Sequence, residues 1–164
     1  MRDYLYHQGY RTEWITALDS GIQAAGKLQD RQSEGAFTGN LGIAYRALGQ
    51  VEKAIGYYEK ALAISREIEH REGEGGWLGN LGLTYQALGQ LEKAIGYHEQ
   101  ALAISREIGD RQNEGSCLGN LGNAYQALGQ FDKARQYFQD ALSIFEEIKS
   151  PNAEQIRRWL TNLG

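Results

Sequence analysis

The segment Gly39-Asn40-Leu41-Gly42 occurs three times, and its later copies are Gly79-Asn80-Leu81-Gly82 and Gly119-Asn120-Leu121-Gly122. A second motif, Ala-Leu-Gly-Gln, begins at positions 47, 87 and 127. Both motifs return after 40 residues. A fixed period of this length is typical of an array in which one small structural unit is repeated. The sequence therefore predicts a repeat protein.

The whole unit repeats along with its motifs. Laying residues 36–75 over 76–115 gives 27 identities in 40 positions, and laying 76–115 over 116–155 gives 20. No proline-rich linker or low-complexity tract interrupts the pattern, so we expect one array without a second domain. We predict a diverged N-terminal half-repeat, three repeats and a last segment that is either a capping helix or the start of a further repeat, with boundaries 1–35, 36–75, 76–115, 116–150 and 151–164.

Each repeat contains two helical patterns separated by a glycine. In the first pattern Leu41, Tyr45 and Leu48 follow the spacing i, i+4, i+7, which places them on one apolar stripe of a helix. Gly49 and its equivalents at 89 and 129 stand where a helix end needs a residue that adopts a positive φ. The unit is therefore predicted to be a helix, a turn and a second helix.

Helix starts and stops are marked as well. Asp30 and Asp110 are predicted N-caps, because a carboxylate can accept hydrogen bonds from the first unpaired N–H groups of a helix. Pro151 ends the third repeat, since proline cannot continue a helix interior. After it, Ile156 and Trp159 belong to a last amphipathic helix that we expect to cover the core of the preceding repeat. About eight helices result.

Composition restricts the class of function. The formal net charge is −4, so the chain has no broad basic field for nucleic acid or an anionic membrane surface. Its apolar runs are far shorter than the roughly 20 residues that a membrane span needs, and its first residues lack the pattern of a secretory signal. Cys117 is the single cysteine, which fits a reducing compartment. We therefore expect a cytoplasmic protein that binds neither nucleic acid nor membrane.

The repeats resemble the tetratricopeptide repeat (TPR) family, whose units carry Leu-Gly-x-x-Tyr and then Ala-x-x-x-Phe. The first repeat has Leu41-Gly42-x-x-Tyr45 followed by Ala54-x-x-x-Tyr58. The third repeat has Leu121-Gly122-x-x-Tyr125 followed by Ala134-x-x-x-Phe138. The central repeat keeps the first motif but has His98 at the aromatic position. The resemblance covers essentially residues 9–150.

Three departures from the family pattern are visible. The leading Trp is missing, the period exceeds the usual 34 residues by six, and the closing Pro is replaced by Arg66, Arg106 and Glu146. This longer form is most similar to the repeats of Partner-of-Inscuteable spindle scaffolds and related bacterial arrays. The segment Tyr10-Arg11-Thr12-Glu13-Trp14 also resembles the sensor arrays of bacterial signalling ATPases.

The resemblance implies an all-α fold of the α-solenoid class, with stacked antiparallel helix pairs that form a right-handed superhelix. It also implies that the first helix of each unit lines a concave groove that binds peptides. The residues expected to form this groove are uncharged apart from one arginine, and they are Asn40, Ile43, Arg46, Asn80, Leu83, Gln86, Asn120, Asn123 and Gln126.

The three asparagines lie one per repeat at the edge of the predicted groove. A side-chain amide both donates and accepts hydrogen bonds, so such a series could hold a peptide backbone. Capping or bridging of neighbouring helices is an equally open role for them. Glycine stands at 39, 79 and 119, where co-chaperone members of the family carry a lysine that clamps a terminal carboxylate. We therefore expect amide and apolar recognition without a carboxylate clamp.

Other chemistry-bearing residues favour structural roles. The histidines lack the spacing of a metal site, and we interpret His98 as a packed, hydrogen-bonded core residue. Cys117 has no recognisable base beside it and is expected to be buried. Arginines at 31, 71 and 111 and glutamates at 34, 74 and 114 are predicted to form ion pairs, with a ligand site as the alternative. We expect no cofactor, metal or catalytic group.

The predicted function is a non-enzymatic interaction module that binds an extended peptide or a partner helix in the groove. One alternative is a regulatory sensor segment within a larger signalling ATPase. A second is self-assembly through the ends of the solenoid, since uncovered terminal repeats invite stacking. The sequence leaves the partner, its orientation and the oligomeric state open.

Overall fold

The structure, a computed structural model, describes the backbone of residues 2–163 and the side chains of residues 13–163. This part of the chain consists of helices joined by short turns and contains no strand. Its eight helices are α1 (Arg2–Leu28), α2 (Arg31–Ala47), α3 (Val51–Glu67), α4 (Arg71–Ala87), α5 (Leu91–Ile108), α6 (Arg111–Ala127), α7 (Phe131–Glu147) and α8 (Asn152–Asn162). The predicted all-α class and the number of helices are confirmed.

The turns inside the helix pairs follow the glycine pattern. Gly49, Gly89 and Gly129 have φ values of 73°, 72° and 72°. This left-handed conformation is costly for residues with a Cβ atom, which explains the glycine in each copy of the motif. The backbone N–H groups of Gly49 and Gln50 donate to the carbonyls of Arg46 and Tyr45 at 2.9 Å, so the turn pairs the last carbonyls of the helix.

The two predicted N-caps are present. One carboxylate oxygen of Asp30 accepts a hydrogen bond from the backbone N–H of Ser33 at 3.0 Å. Asp110 accepts in the same way from Asn113, also at 3.0 Å. These bonds fix the starts of α2 and α6, because the first N–H groups of a helix have no partner inside it.

Stacked tyrosines join the two helices of each pair. The ring centroids are 5.1 Å apart for Tyr45 and Tyr57, and a lysine of the second helix lies over the first ring. The equivalent tyrosine pairs of α4 with α5 and of α6 with α7 have centroids 5.4 and 5.3 Å apart. Near-parallel stacking with a cation above the ring adds to the apolar burial that holds the pair together.

The chain divides into two compact units, Met1–Trp77 and Leu78–Gly164. In the first unit α1 packs on α2 and α2 packs on α3. Leu18, Leu41 and Ala44 form its core, with Ile15, Ile22 and Phe37 among the partly buried residues around them. The predicted division into repeats at 36, 76 and 116 stays a prediction.

In the second unit α5 packs on α6, α6 on α7, and α7 on α8. Phe138, Phe145 and Ile156 are almost fully buried there. The aromatic rings of Phe138 and Trp159 are 5.4 Å apart, so α8 packs against α7. Whether residues 151–164 are a capping helix or the start of a further repeat stays a prediction. Burial of these large side chains supplies most of the favourable free energy of this unit.

Glycine in the Leu-Gly motif allows close helix contact inside each pair. A Cβ atom on Gly42 would lie 2.6 Å from the ring of Tyr58, and one on Gly82 would lie 2.5 Å from the ring of His98. Gly122 is equally crowded by the ring of Phe138. A larger residue would push the second helix away and open the core. These glycines therefore allow the two helices of each pair to approach closely.

Candidate functional site

The predicted groove residues of the second unit lie on two of its helices. Asn80, Leu83 and Gln86 are in α4, and Leu83 has 39% of its surface exposed. On the other side of the same helix Leu78 and Leu81 are buried. Leu83 is therefore accessible on the predicted face of α4, whereas the side-chain oxygen of Gln86 is buried without a hydrogen-bond partner among the described residues.

The helix α6 repeats this arrangement. Asn120, Asn123 and Gln126 are half-buried, whereas Leu118 and Leu121 are almost fully buried on the core side. The three residues carry neutral amides, so this face offers donors and acceptors without a formal charge. It could hold the backbone of an extended ligand.

In the first unit the predicted residues occupy α2. Asn40 and Ile43 are half-buried and Arg46 is exposed. The guanidinium is the one charge among the groove residues predicted from the sequence. Whether these residues contact a ligand stays a prediction.

The hydrogen-bonding state of the asparagines differs between the repeats. The side chains of Asn40 and Asn120 have no hydrogen-bond partner among the described residues, whereas Asn80 has a partner. The backbone carbonyl of Asn80 also accepts a hydrogen bond from the Thr84 hydroxyl at 2.6 Å. Whether the three asparagines hold a ligand or bridge helices stays a prediction.

A cleft opens in the second unit between α6 and α8, and we call it the α6/α8 cleft. Its apolar walls are the side chains of Phe145, Ile156 and Trp159. Its polar lining consists of Ser116 and Asn120 from α6 with Asn152 and Gln155 from α8.

Two glycines of α6 make room for the walls of this cleft. A Cβ atom on Gly115 would lie 2.7 Å from the ring of Phe145. One on Gly119 would lie 3.2 Å from Ile156 and 3.4 Å from Trp159. Larger residues at these positions would displace the apolar walls. The backbone of α6 therefore forms part of the cleft surface.

The cleft residues of α8 were not among the site residues predicted from the sequence. Pro151 interrupts the 40-residue pattern, so the register of Asn152, Gln155 and Trp159 against α6 cannot be read from the repeat. One sequence signal could have found them. A helix that follows the second helix of a repeat stands at the position of the first helix of the next repeat. Such a helix presents its accessible side chains beside those of α6.

The predicted ion pairs are present within each unit. The carboxylate of Glu114 accepts from Arg106 Nε at 2.9 Å and from an Arg111 guanidinium nitrogen at 2.5 Å, and Arg111 also pairs with Glu147. Burial raises the pKa of the Glu114 carboxyl, but the hydrogen bonds from Arg106 and Arg111 outweigh burial and leave the pKa lowered. Both oxygens of this buried carboxylate are occupied, which supports a structural role.

His98 is buried as predicted, but the predicted hydrogen bond is wrong. Neither imidazole nitrogen has a hydrogen-bond partner among the described residues, and no surface of His98 is exposed. Burial lowers the pKa of His98 to about 4. The ring lies against Gly82 at the place that Tyr58 and Phe138 take in the other helix pairs, so apolar packing holds it as a neutral group.

Cys117 is also buried as predicted. Burial raises the pKa of the Cys117 thiol to about 11, and a hydrogen bond with Ser105 opposes this effect only in part. The thiolate is the reactive form of cysteine, so this side chain is a poor nucleophile at neutral pH. Among the described residues no group of three His, Cys, Asp or Glu side chains could hold a metal ion.

A family model described as tetratricopeptide repeat matches residues 33–107, 73–147 and 113–164. The chain belongs to the tetratricopeptide repeat family. TPR arrays use the accessible faces of their repeated helices as binding surfaces for other proteins. The family assignment made from the sequence is confirmed. Membership of this family indicates protein binding as the broad function.

Solved TPR-like structures share the fold. The chain aligns with BtubC from P. vanneervenii with a TM-score of 0.80 and 22% identity, over 93% of this chain and 65% of BtubC. It aligns with the apo form of RapI with a TM-score of 0.83 and 24% identity, over 96% of this chain and 45% of RapI.

A Rap protein in complex with the competence and sporulation factor has a TM-score of 0.74 and 23% identity, over 96% of this chain and 45% of the Rap chain. At these identities the likeness shows the α-solenoid fold. The chain thus spans less than two thirds of the length of these proteins. None of the curated proteins matches the sequence.

One further property concerns membranes. Among the described residues, no helix combines the length and the apolar character that crossing a bilayer requires.

Proposed function

We propose that this TPR chain is a non-catalytic interaction module that binds an extended peptide on the accessible face of its first helices. In the second unit this face comprises the groove residues of α4 and α6. The observation that carries the proposal is the state of α6, where Asn120, Asn123 and Gln126 present neutral side-chain amides on one accessible side. The Rap protein that was solved with the competence and sporulation factor supports a partner of this kind.

The chemistry of the face favours a neutral ligand segment. Each hydrogen bond from a side-chain amide to a peptide group adds about 1 kcal/mol net, so several bonds are needed together. Leu83 adds an exposed apolar contact. An acidic terminus would find no lysine at 79 or 119, where the chain carries glycine. Backbone recognition along the helix face is the arrangement that uses these residues.

Selection of peptides from a random display library with the full chain tests the proposal. The best peptide is then titrated against the wild type and an Asn120→Ala/Asn123→Ala variant. We expect the loss of two hydrogen bonds to weaken binding by about 10- to 100-fold.

The matched control is Gln139→Ala, which removes an exposed amide from α7. This control should leave the dissociation constant within about twofold of the wild type. Equal affinity of the double variant and the wild type would show that the asparagines do not hold the peptide.

A further inference from the structure

The size of the α6/α8 cleft restricts what it can hold. Its volume is about 180 Å³, and a water molecule takes roughly 30 Å³ of the liquid. Pockets for drug-sized ligands and cofactors begin at about 300 Å³. The cleft therefore has room for about six waters or one large side chain.

The lining of the cleft restricts the charge of its occupant. None of the residues that line it carries a charge. A carboxylate or an ammonium group would lose hydration there without gaining an ionic partner. The nearby cation Arg157 is already paired with Glu146 at 2.8 Å. An uncharged group is the occupant that the lining accepts.

The apolar and polar residues that line the cleft also restrict the shape of its occupant. Phe145 and Ile156 are almost fully buried beneath the cleft, so the half-buried ring of Trp159 supplies its accessible apolar surface and favours a flat, apolar body. The side-chain amides of Asn120, Asn152 and Gln155 have no hydrogen-bond partner among the described residues. An aliphatic occupant would cover these amides without pairing them, which is unfavourable.

We propose that the α6/α8 cleft is a subsite for a tyrosine side chain of the bound peptide. The ring packs against Trp159, and the hydroxyl pairs with the amides of Asn120 and Gln155. A phenol hydroxyl both donates and accepts, so it satisfies either orientation of a side-chain amide. This assignment rests on the proposed peptide-binding function and adds the residue type that the peptide must contain.

Neutral amino-acid amides serve as probes of the full chain in solution. N-acetyl-tyrosinamide is titrated while backbone and indole N–H signals are followed by NMR. We expect saturable shifts at Ser116, Asn120 and Gln155 and at the indole of Trp159. N-acetyl-phenylalaninamide should bind about 30-fold more weakly, because it loses both hydrogen bonds of the hydroxyl at about 1 kcal/mol each. N-acetyl-alaninamide should produce no saturable shift.

Two variants test the position of the probe. Ser116→Trp fills the cleft from α6 and should abolish the shifts, while Gln139→Trp places an equal side chain on the exposed side of α7, outside the cleft, and should retain them. Gln155→Leu keeps the size of the side chain but removes the amide. It should weaken tyrosinamide about fivefold and leave phenylalaninamide unchanged. Shifts that map to another surface, or tyrosinamide binding unchanged in Ser116→Trp, would overturn the subsite.

The peptide library separates failure of the subsite from failure of the proposed function. Selected peptides should contain tyrosine and should lose affinity in Gln155→Leu. Tight peptides without tyrosine enrichment and insensitive to Gln155→Leu would overturn the subsite while leaving peptide binding intact. If the library yields no peptide while tyrosinamide still binds in the cleft, the tyrosine does not come from a bound peptide. That result would overturn the proposed function.

Discussion

At the scale of single residues, His98 is the clearest conflict between local chemistry and packing. A neutral imidazole has one donor and one acceptor, and in this structure both nitrogens are buried without a partner. Leaving such groups unpaired costs about 1–3 kcal/mol. Phe138 occupies the equivalent place in α7 and packs against Gly122 in the same manner. The position therefore suits an aromatic hydrocarbon better than it suits histidine.

Replacing His98 by Phe should stabilise the chain by about 1–2 kcal/mol at pH 7, because it removes two unpaired polar atoms and keeps a flat ring. Urea unfolding of both proteins under the same conditions measures the difference. His98→Tyr is a second variant, with a hydroxyl like that of Tyr58, and should gain less than His98→Phe. A His98→Phe protein less stable than the wild type would mean that the cavity cannot accept the larger ring.

The same residue predicts a pH dependence. Its folded-state pKa of about 4 lies below the unfolded value of about 6.5, so the unfolded chain takes up a proton first. The stabilisation that comes from burying His98 in its neutral form is fully present above about pH 6.5, and it is lost as the pH falls toward 4. The loss amounts to about 3 kcal/mol over this window. The difference in unfolding free energy between wild type and His98→Phe should widen by this amount, and a constant difference would contradict the account.

At the scale of helices and turns, two kinds of turn alternate along the chain. The turns inside the helix pairs always use glycine, whereas those between pairs place Gln29, Glu69, Gly109 and Lys149 in the left-handed region, with φ values of 56°, 55°, 71° and 55°. This conformation costs a residue with a Cβ atom about 1–2 kcal/mol. Gly109 avoids the cost, and the other three residues bear it.

Lys149→Gly should therefore stabilise the chain by about 0.5–1 kcal/mol, since relief of the left-handed conformation exceeds the entropy that glycine adds to the unfolded state. Gly129→Ala, in the turn from α6 to α7, should have the opposite effect and cost about 1 kcal/mol or more. Thermal and urea unfolding measure both. Destabilisation by Lys149→Gly would show that the lysine side chain makes a contact that matters more than the backbone.

The ion pairs beside these turns give a second prediction for the elements. Glu114→Gln leaves Arg106 and Arg111 facing a neutral, buried amide and should cost about 1–3 kcal/mol. Glu147→Gln changes the exposed partner of the same Arg111 and should cost less than about 1 kcal/mol. The free energies of unfolding of the two variants are compared in low and in high salt. Equal effects for the two substitutions would show that the buried carboxylate has no special role.

At the scale of the whole molecule, the repeat pattern predicts most of the architecture. Helix positions, glycine turns, the Asp30 and Asp110 caps and the close contacts at Gly42 and its equivalents all follow from local rules that recur every 40 residues. Features that depend on contacts between helices could not be predicted from the sequence. The missing partners of His98 depend on which side chains surround it, and the 40-residue pattern contains only its position.

The α6/α8 cleft shows the same limit for the candidate site. Its walls depend on the register of α8, which follows the break at Pro151. In the third repeat Glu146 stands where the earlier repeats have Arg66 and Arg106. Its carboxylate pairs with the guanidinium of Arg157 in α8, so the charge at this position is reversed and its partner is a cation. The sequence shows the exchange of charge, but the partner becomes visible only when α8 is placed.

The most direct test of peptide binding by this TPR chain is an NMR map of the full chain with its best library-selected peptide. Binding on the first-helix faces predicts saturable shifts at Asn120, Asn123 and Gln126 of α6 and at Asn80 and Leu83 of α4. The accessible sides of α5 and α7 should show none. A tight peptide whose shifts fall on α5 and α7, with α6 unchanged, would contradict the central claim.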